Sequence, residues 1–241
     1  MEPKIIFEDE YLMVLEKPAG WIVNDAMTTT GQPTVQDWLR RNFQFSPRSG
    51  LLISNFPQYR NGIVHRLDKE TSGLLVVAKT KEAFEGLQRA FKERKVHKTY
   101  TALVHGIVEP KEGSIEAPVG RLPWRRDRFG VLPGGRGAST AYKTIGNYQS
   151  TISNEKFTLL ELKPKTGRTH QIRIHLKFIG HPIVSDEFYA GRKTARNDRK
   201  WCPRLFLHAS GISFDHPVTR RNMAFKSDLP QDLKKTLESF S

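Results

Sequence analysis

The apolar positions of the first ninety residues fall into short clusters that predict alternating strands and helices. Ile5-Ile6-Phe7 and Tyr11 to Leu15 predict two short strands around the acidic turn Glu8-Asp9-Glu10. Lys17-Pro18-Ala19-Gly20 then predicts a turn. Pro33 is expected to open a helix with Val35, Trp38, Leu39 and Phe43 on one face. Residues 44–60 carry no periodic pattern. Gly62-Ile63-Val64 and Leu74 to Ala78 predict strands on either side of a polar segment. Thr80 is placed to cap a helix whose apolar face is Ala83, Phe84, Leu87, Ala90 and Phe91. Farther on, Lys98 to His105 and Lys156 to Lys163 alternate as strands do.

The stretch after Lys163 admits two structures. Ile172, Ile174 and Leu176 alternate as in a strand, whereas Ile172, Leu176 and Ile179 share one helical face. Thr169 as N-cap, with Gly180 and Pro182 as a stop, favours the helix. Arg173 then lies in its first turn with His170 on the same side. Lys165, Gly167 and Arg168 before it make a natural anion site. Two basic stretches, 121–137 and 191–204, hold arginines among glycines and prolines and are expected to be mobile loops that contact phosphates. With no repeat and no long linker, the expectation is a single domain, 1–241, of the α+β class.

Charge narrows the partner. The 241 residues carry 39 Lys and Arg against 25 Asp and Glu, a net +14, which favours a polyanion: nucleic acid first, an anionic membrane surface second. Cys202 is the one cysteine, so no internal disulfide forms and a reducing cytoplasm suits the chain. There is no CxxC, and His170 and His175 are five apart rather than the four of a helical zinc pair, so no metal site is expected. The longest apolar runs are too short to span a bilayer, and Met1-Glu2-Pro3-Lys4 has no signal-peptide character. Gly134 to Thr140 lacks the last glycine of a dinucleotide loop, Gly191-Arg192-Lys193-Thr194 only mimics the end of a P-loop, and Ser72 is not in a nucleophile elbow.

Two segments concentrate polar chemistry. In the first, His65-Arg66-Leu67-Asp68-Lys69-Glu70-Thr71-Ser72-Gly73 sets a central carboxylate between apolar flanks. Its spacing alone suits a catalytic Asp68 and an aspartate bonding loop amides equally well. His65 reads more readily as a packed, hydrogen-bonded residue than as a general base. The second segment is Gly167-Arg168-Thr169-His170-Gln171-Ile172-Arg173.

With these two segments the chain resembles the RluA family of RNA pseudouridine synthases. The likeness extends to Leu15-Glu16-Lys17-Pro18-Ala19-Gly20, Lys98-Thr99-Tyr100 and Leu207-His208-Ala209, in the family's order and over nearly the whole chain. It implies a mixed, largely antiparallel sheet with flanking helices and a central RNA-binding cleft, working without metal or cofactor. Asp68 matches the essential aspartate, Tyr100 the tyrosine that stacks near the target base, and Arg173 the arginine that pairs with the carboxylate. Arg66 matches an arginine that holds the site open after the nucleotide has left the stack. Arg168, His170 and Gln171 are expected to bind substrate, as are Arg125, Arg126 and Arg128 of the first basic stretch. Two departures stand out. Glu16 replaces a common Asn, and the added N-terminal RNA-binding domain of many relatives is expected to be absent.

The chemistry explains these residue types. Uracil leaves its sugar, turns, and rejoins through ring carbon five, with no net oxidation or hydrolysis. The target must leave the stack to be reached. An ionised Asp68 can attack the sugar or the ring, or assist elimination, and the resemblance leaves these routes open. A carboxylate in a dry cleft keeps its charge beside a cation, which gives Arg173 its purpose. Large-subunit ribosomal RNA is the first expected target, because residues 62–79 look most like that branch, and transfer RNA the second. A monomer is expected. The competing classes are a non-catalytic RNA-binding or ribosome-assembly factor and a hydrolase, which would want clustered carboxylates that this sequence lacks.

Overall fold

Strands β1 (Lys4–Glu8) and β2 (Leu12–Lys17) pair antiparallel across the predicted acidic turn. Asp9 closes that turn by accepting the amide N–H groups of Tyr11 and Leu12 at 2.8 and 2.9 Å. This computed structural model describes residues 1–25, 29, 31–43, 57–123, 125–150 and 154–240. The chain divides into two compact units, residues 1–97 with 211–227, and residues 98–210 with 228–241.

In the first unit, β2 pairs antiparallel with β3 (Ser72–Ala78), Leu15 facing Leu75. All of β3 is buried, which is why it is written as a continuous apolar run rather than an alternating one. Helix α1 (Val35–Asn42) begins two residues later than Pro33 suggests, because Thr34 takes the N-cap and accepts from the Asp37 amide at 3.0 Å. Most of the patternless stretch, 44–56, lies outside the described residues, and 57–62 forms a 3-10 turn. The predicted strand Gly62 to Val64 shrinks to one bridge between Ile63 and Val77. Arg60, Asn61 and Gly62 all have positive φ, which no pleated strand accepts, and a Cβ on Gly62 would meet the Ala78 carbonyl oxygen at 1.9 Å.

Helix α2 (Lys81–Lys92) starts at Thr80 as predicted, its hydroxyl accepting from Ala83 at 3.2 Å. Ala83, Phe84 and Leu87 pack on Leu12, Val14, Leu74 and Val76. Ile212 and Phe214 complete this core from strand β10 (Leu207–Asp215), whose residues 211–215 pair antiparallel with β11 (Asn222–Lys226).

The second unit runs β5–β8–β9–β4 in antiparallel order. These strands are β4 (His97–His105), β5 (Glu112–Glu116), β8 (Ser139–Gln149) and β9 (Lys156–Pro164). The expected basic loop 121–137 is mostly a hairpin of β6 (Val119–Leu122) and β7 (Arg125–Val131), held further by a bridge between Val119 and Arg136. The expected loop 191–204 contains helix α4 (Arg192–Asp198). Its sequence shows almost no apolar face, and the helix is fixed instead by two buried residues, Ala195 and Asp198. The Asp198 carboxylate accepts from the Ser185 amide at 2.8 Å and meets the His105 ring at 3.0 Å.

Helix α3 (Gln171–Phe178) confirms the helical reading of the second segment and ends before Gly180, whose φ is +88°. Its N-cap is His170, in the left-handed region at φ 53°, and not Thr169. Helix α5 (Gln231–Glu238) completes the unit. All strand pairs named here are antiparallel, and an isolated parallel bridge joins Ile22 to Thr34. Among the described residues, no helix is long and apolar enough to cross a membrane, and no three His, Cys, Asp or Glu side chains gather as a metal would need.

Candidate active site

Each unit holds a cluster of its own. In the first, Asp68 sits half-buried on the loop between Ile63 and β3, beside exposed Arg66 and buried Leu67. The loop is anchored by backbone bonds, Thr71 N–H to the Asp68 carbonyl at 3.1 Å and Gly20 N–H to the Lys69 carbonyl at 2.8 Å. Below it lies Lys17, a fully buried residue. Its ammonium donates to the carbonyls of Pro18 and Trp21 at 2.9 Å and of Lys69 at 3.2 Å. The tie brings the Lys17-Pro18-Ala19-Gly20 turn to the residue following Asp68. The sequence marks that turn without giving its lysine a task. A buried cation needs full hydrogen bonding, and here three carbonyls supply it.

Lys17→Met is therefore expected to destabilise the protein by about 3 kcal/mol, because it orphans buried carbonyls worth roughly 1–3 kcal/mol each. It should also slow product formation at least tenfold through the loosened Asp68 loop. Urea unfolding and single-turnover rates test this. A stability change below about 1 kcal/mol would show that the ammonium is not the tie.

His65 is structural in this unit: Nε2 accepts from the Val76 amide at 2.9 Å, and the ring stacks on Phe91 at 4.7 Å. Lys69 donates from Nζ to the Gln32 side-chain carbonyl at 2.8 Å.

The second cluster is built on α3. Arg173, in its first turn, is only 4% exposed. Its Nε and Nη2 donate to the two carboxylate oxygens of Asp186 at 2.7 and 2.8 Å, a parallel fork. A cation near a helix N-terminus opposes the helix dipole, and the adjoining carboxylate offsets that. Asp186 Oδ1 also accepts the amides of Phe188 and Tyr189, fixing both rings. The guanidinium carbon of Arg173 then lies 5.4 Å and 5.1 Å from their centroids. Tyr189 donates from its hydroxyl to the Phe129 carbonyl, and His170 Nδ1 lies 3.0 Å from the Tyr189 hydroxyl. Asp186 was missed from sequence, since nothing local distinguishes it from a surface aspartate.

The remaining predicted residues of the second unit surround or support this cluster in different ways. Tyr100 is buried on β4, opposite Leu162. Gln171, expected to bind substrate, is 4% exposed, and its amide is spent on the protein. Its oxygen accepts from the Thr166 hydroxyl and the Arg168 amide, and its nitrogen donates to the Ser139 carbonyl and the Thr140 hydroxyl. It positions the loop before α3. Arg168 is half-buried, with Nε 3.4 Å from the Gly137 carbonyl. Arg125, Arg126 and Arg128 lie on β7, and Arg128 donates from Nη1 to the Phe188 carbonyl at 3.0 Å.

His175 lies beneath this cluster, fully buried, with Nε2 3.0 Å from the Ala117 carbonyl and Nδ1 2.9 Å from the Thr140 hydroxyl. Nε2 donates to that carbonyl and Nδ1 accepts from the hydroxyl, the neutral tautomer. Burial lowers its pKa, against a smaller opposing effect of the Ala117 bond. As pH falls through the unfolded value near 6.5, the unfolded chain gains a proton that the native chain refuses, so stability falls. The melting temperature should drop from pH 7.5 to 5.5, and His175→Gln should flatten that slope. Identical slopes would dismiss His175 as the cause.

A family model described as RNA pseudouridylate synthase matches residues 11–178. The chain belongs to the RNA pseudouridylate synthase family. As a member it is an isomerase that converts uridine in RNA to pseudouridine. Bacillus subtilis YlyB, described as an RNA pseudouridine synthase, is 36% identical over 99% of this chain and 73% of its own length. The ribosomal large subunit pseudouridine synthase D of Nitrosomonas europaea is 38% identical over 98% of this chain, which spans 64% of that relative. The solved structure of human RNA pseudouridylate synthase domain containing 1 matches with a TM-score of 0.70 at 26% identity. That match covers 95% of this chain and 84% of the human one. The family and fold expected from the two motifs are thus borne out.

Proposed function

We propose that this pseudouridine synthase modifies uridine in large-subunit ribosomal RNA, with Asp68 as its catalytic carboxylate. The observation that carries the residue is the anchoring of its loop: a half-buried carboxylate on backbone tied to a fully buried ammonium is held for chemistry. The target is supported by three relatives named ribosomal large subunit pseudouridine synthase D, at 34–38% identity over 96–98% of this chain. In this reading Asp68 attacks the sugar or ring or assists elimination, Tyr100 serves the base, and Arg173 serves the carboxylate. Arg66 and the β7 arginines contact RNA, and residues 1–241 act as a single catalytic domain and as a monomer.

The test is pseudouridine mapping of ribosomal and transfer RNA from a strain lacking the gene, rescued with wild type or Asp68→Asn. A large-subunit site restored by wild type alone is expected. Restoration by both proteins would remove Asp68 from the chemistry. A restored transfer-RNA site would replace the target, and no altered site would favour the RNA-binding-factor reading.

A further inference from the structure

The second unit holds a concavity of 450 Å³ between the β6–β7 hairpin, the turn after it and the loop leading into α3. Such a volume falls in the range of small-ligand sites, roughly 300–1,000 Å³. That is the scale of a single nucleotide rather than of a duplex. Val119, Phe129 and Leu132 give it an apolar wall, and three guanidinium groups line it: Arg121, Arg136 and Arg168. Among the described residues that line it, none is acidic.

Its construction is specific. Gly120 and Gly135 let the hairpin and the following turn touch backbone to backbone. A Cβ on Gly135 would lie 2.9 Å from the Val119 carbonyl carbon, and one on Gly120 would lie 3.3 Å from the Gly135 Cα. Gly134 and Gly167, by contrast, face open space: a Cβ on the first meets nothing, and one on the second meets only the Lys98 ammonium at 3.8 Å. The Arg121 guanidinium carbon lies 5.0 Å over the Phe129 ring, offering a flat cationic face. Three like charges around one small concavity favour an anionic occupant, and the apolar wall favours one with a flat body. An unpaired nucleotide has both.

We propose that this pocket takes an unpaired nucleotide of the substrate RNA other than the target uridine, its base against the Arg121–Phe129 wall and its phosphate toward Arg136 and Arg168. The proposal rests on the reading of RNA as substrate. It gives the hairpin a part in choosing which loop is modified, through a base displayed at a fixed distance from the target.

The experiment uses the full chain and a synthetic stem-loop carrying the uridine identified by the mapping above. 5-Iodouridine replaces each other unpaired position singly, and ultraviolet crosslinks are located by peptide mass spectrometry. One position is expected to crosslink within the pocket, at Arg121, Phe129 or Leu132. Arg136→Gln and the pocket-filling Leu132→Trp should each abolish that crosslink and raise KM at least tenfold with melting temperatures unchanged. Arg136 is exposed and keeps its backbone bridge to Val119, so its variant reports on the pocket even if Leu132→Trp unfolds. Absence of the crosslink, or a KM for Arg136→Gln within twofold of wild type, overturns the proposal. Loss of the crosslink in millimolar uridine monophosphate, at unchanged RNA binding, assigns the pocket to a free nucleotide and overturns it as well. A crosslink through the pocket without pseudouridine formation keeps the pocket and sinks the proposed target.

Discussion

Asp68→Asn is expected to abolish pseudouridine formation, by about four orders of magnitude or more, with the fold intact. Removal of a nucleophile or its equivalent typically has effects of that size. The amide keeps the volume and one acceptor oxygen of the carboxylate, but its NH2 only donates and it cannot attack an anomeric or ring carbon. Little stability should be lost, because the loop is anchored by the backbone of Asp68, Lys69 and Thr71 and by Lys17 rather than by the carboxylate alone. Single-turnover assays on a ribosomal RNA transcript, with urea unfolding as control, measure both. A variant within tenfold of wild type would remove Asp68 from the reaction. A loss of several kcal/mol would instead make it a structural aspartate, the alternative that its spacing left open.

Asp186→Ala is expected to have the largest effect on stability. Breaking a buried ion pair by deleting one partner costs about 3–5 kcal/mol, since the remaining charge has been moved out of water. Arg173 and Asp186 are 4% and 0% exposed, and the fork between them uses both carboxylate oxygens. The same carboxylate holds the Phe188 and Tyr189 amides, so these rings should loosen with it. Asp186→Asn should fall between wild type and Ala, because it retains acceptors for the amides but loses the charge. Chemical denaturation gives the ordering. An Ala variant within about 1 kcal/mol of wild type would show that Arg173 does not depend on this partner.

The two variants differ in how far the sequence foretold them. Asp68 stands inside a motif of contiguous residues, and its loop follows from local Gly and polar positions between apolar flanks. Helix α2 is legible for the same reason: Thr80 caps it, and every fourth or third residue is apolar. The helix at 171–178 was separable from a strand through its stop at Gly180, although the cap moved to His170. Where elements were misread, the local pattern lacked a buried stripe. The arginines of 191–204 suggested a loop, and α4 forms because Asp198 bonds the Ser185 amide and the His105 ring, 13 and 93 residues away. Residues 121–137 suggested a mobile loop, and a hairpin forms because its two strands satisfy each other's backbone.

The sequence by itself determined the family, the α+β class, helices α1 and α2, and strands β1 to β3, which rest on contiguous motifs and periodicity readable along one line. Tyr100 and Arg173 became candidates only through the family resemblance, and Asp68 through its motif and that resemblance together. Tertiary structure alone decided that the Lys17 ammonium reaches the carbonyl of Lys69, that Gln171 is a loop tie, and that Asp186 rather than any sequence neighbour faces Arg173 within its unit. Partners of buried polar groups are chosen by where the folded backbone delivers a free carbonyl or carboxylate, and no local pattern encodes that distance.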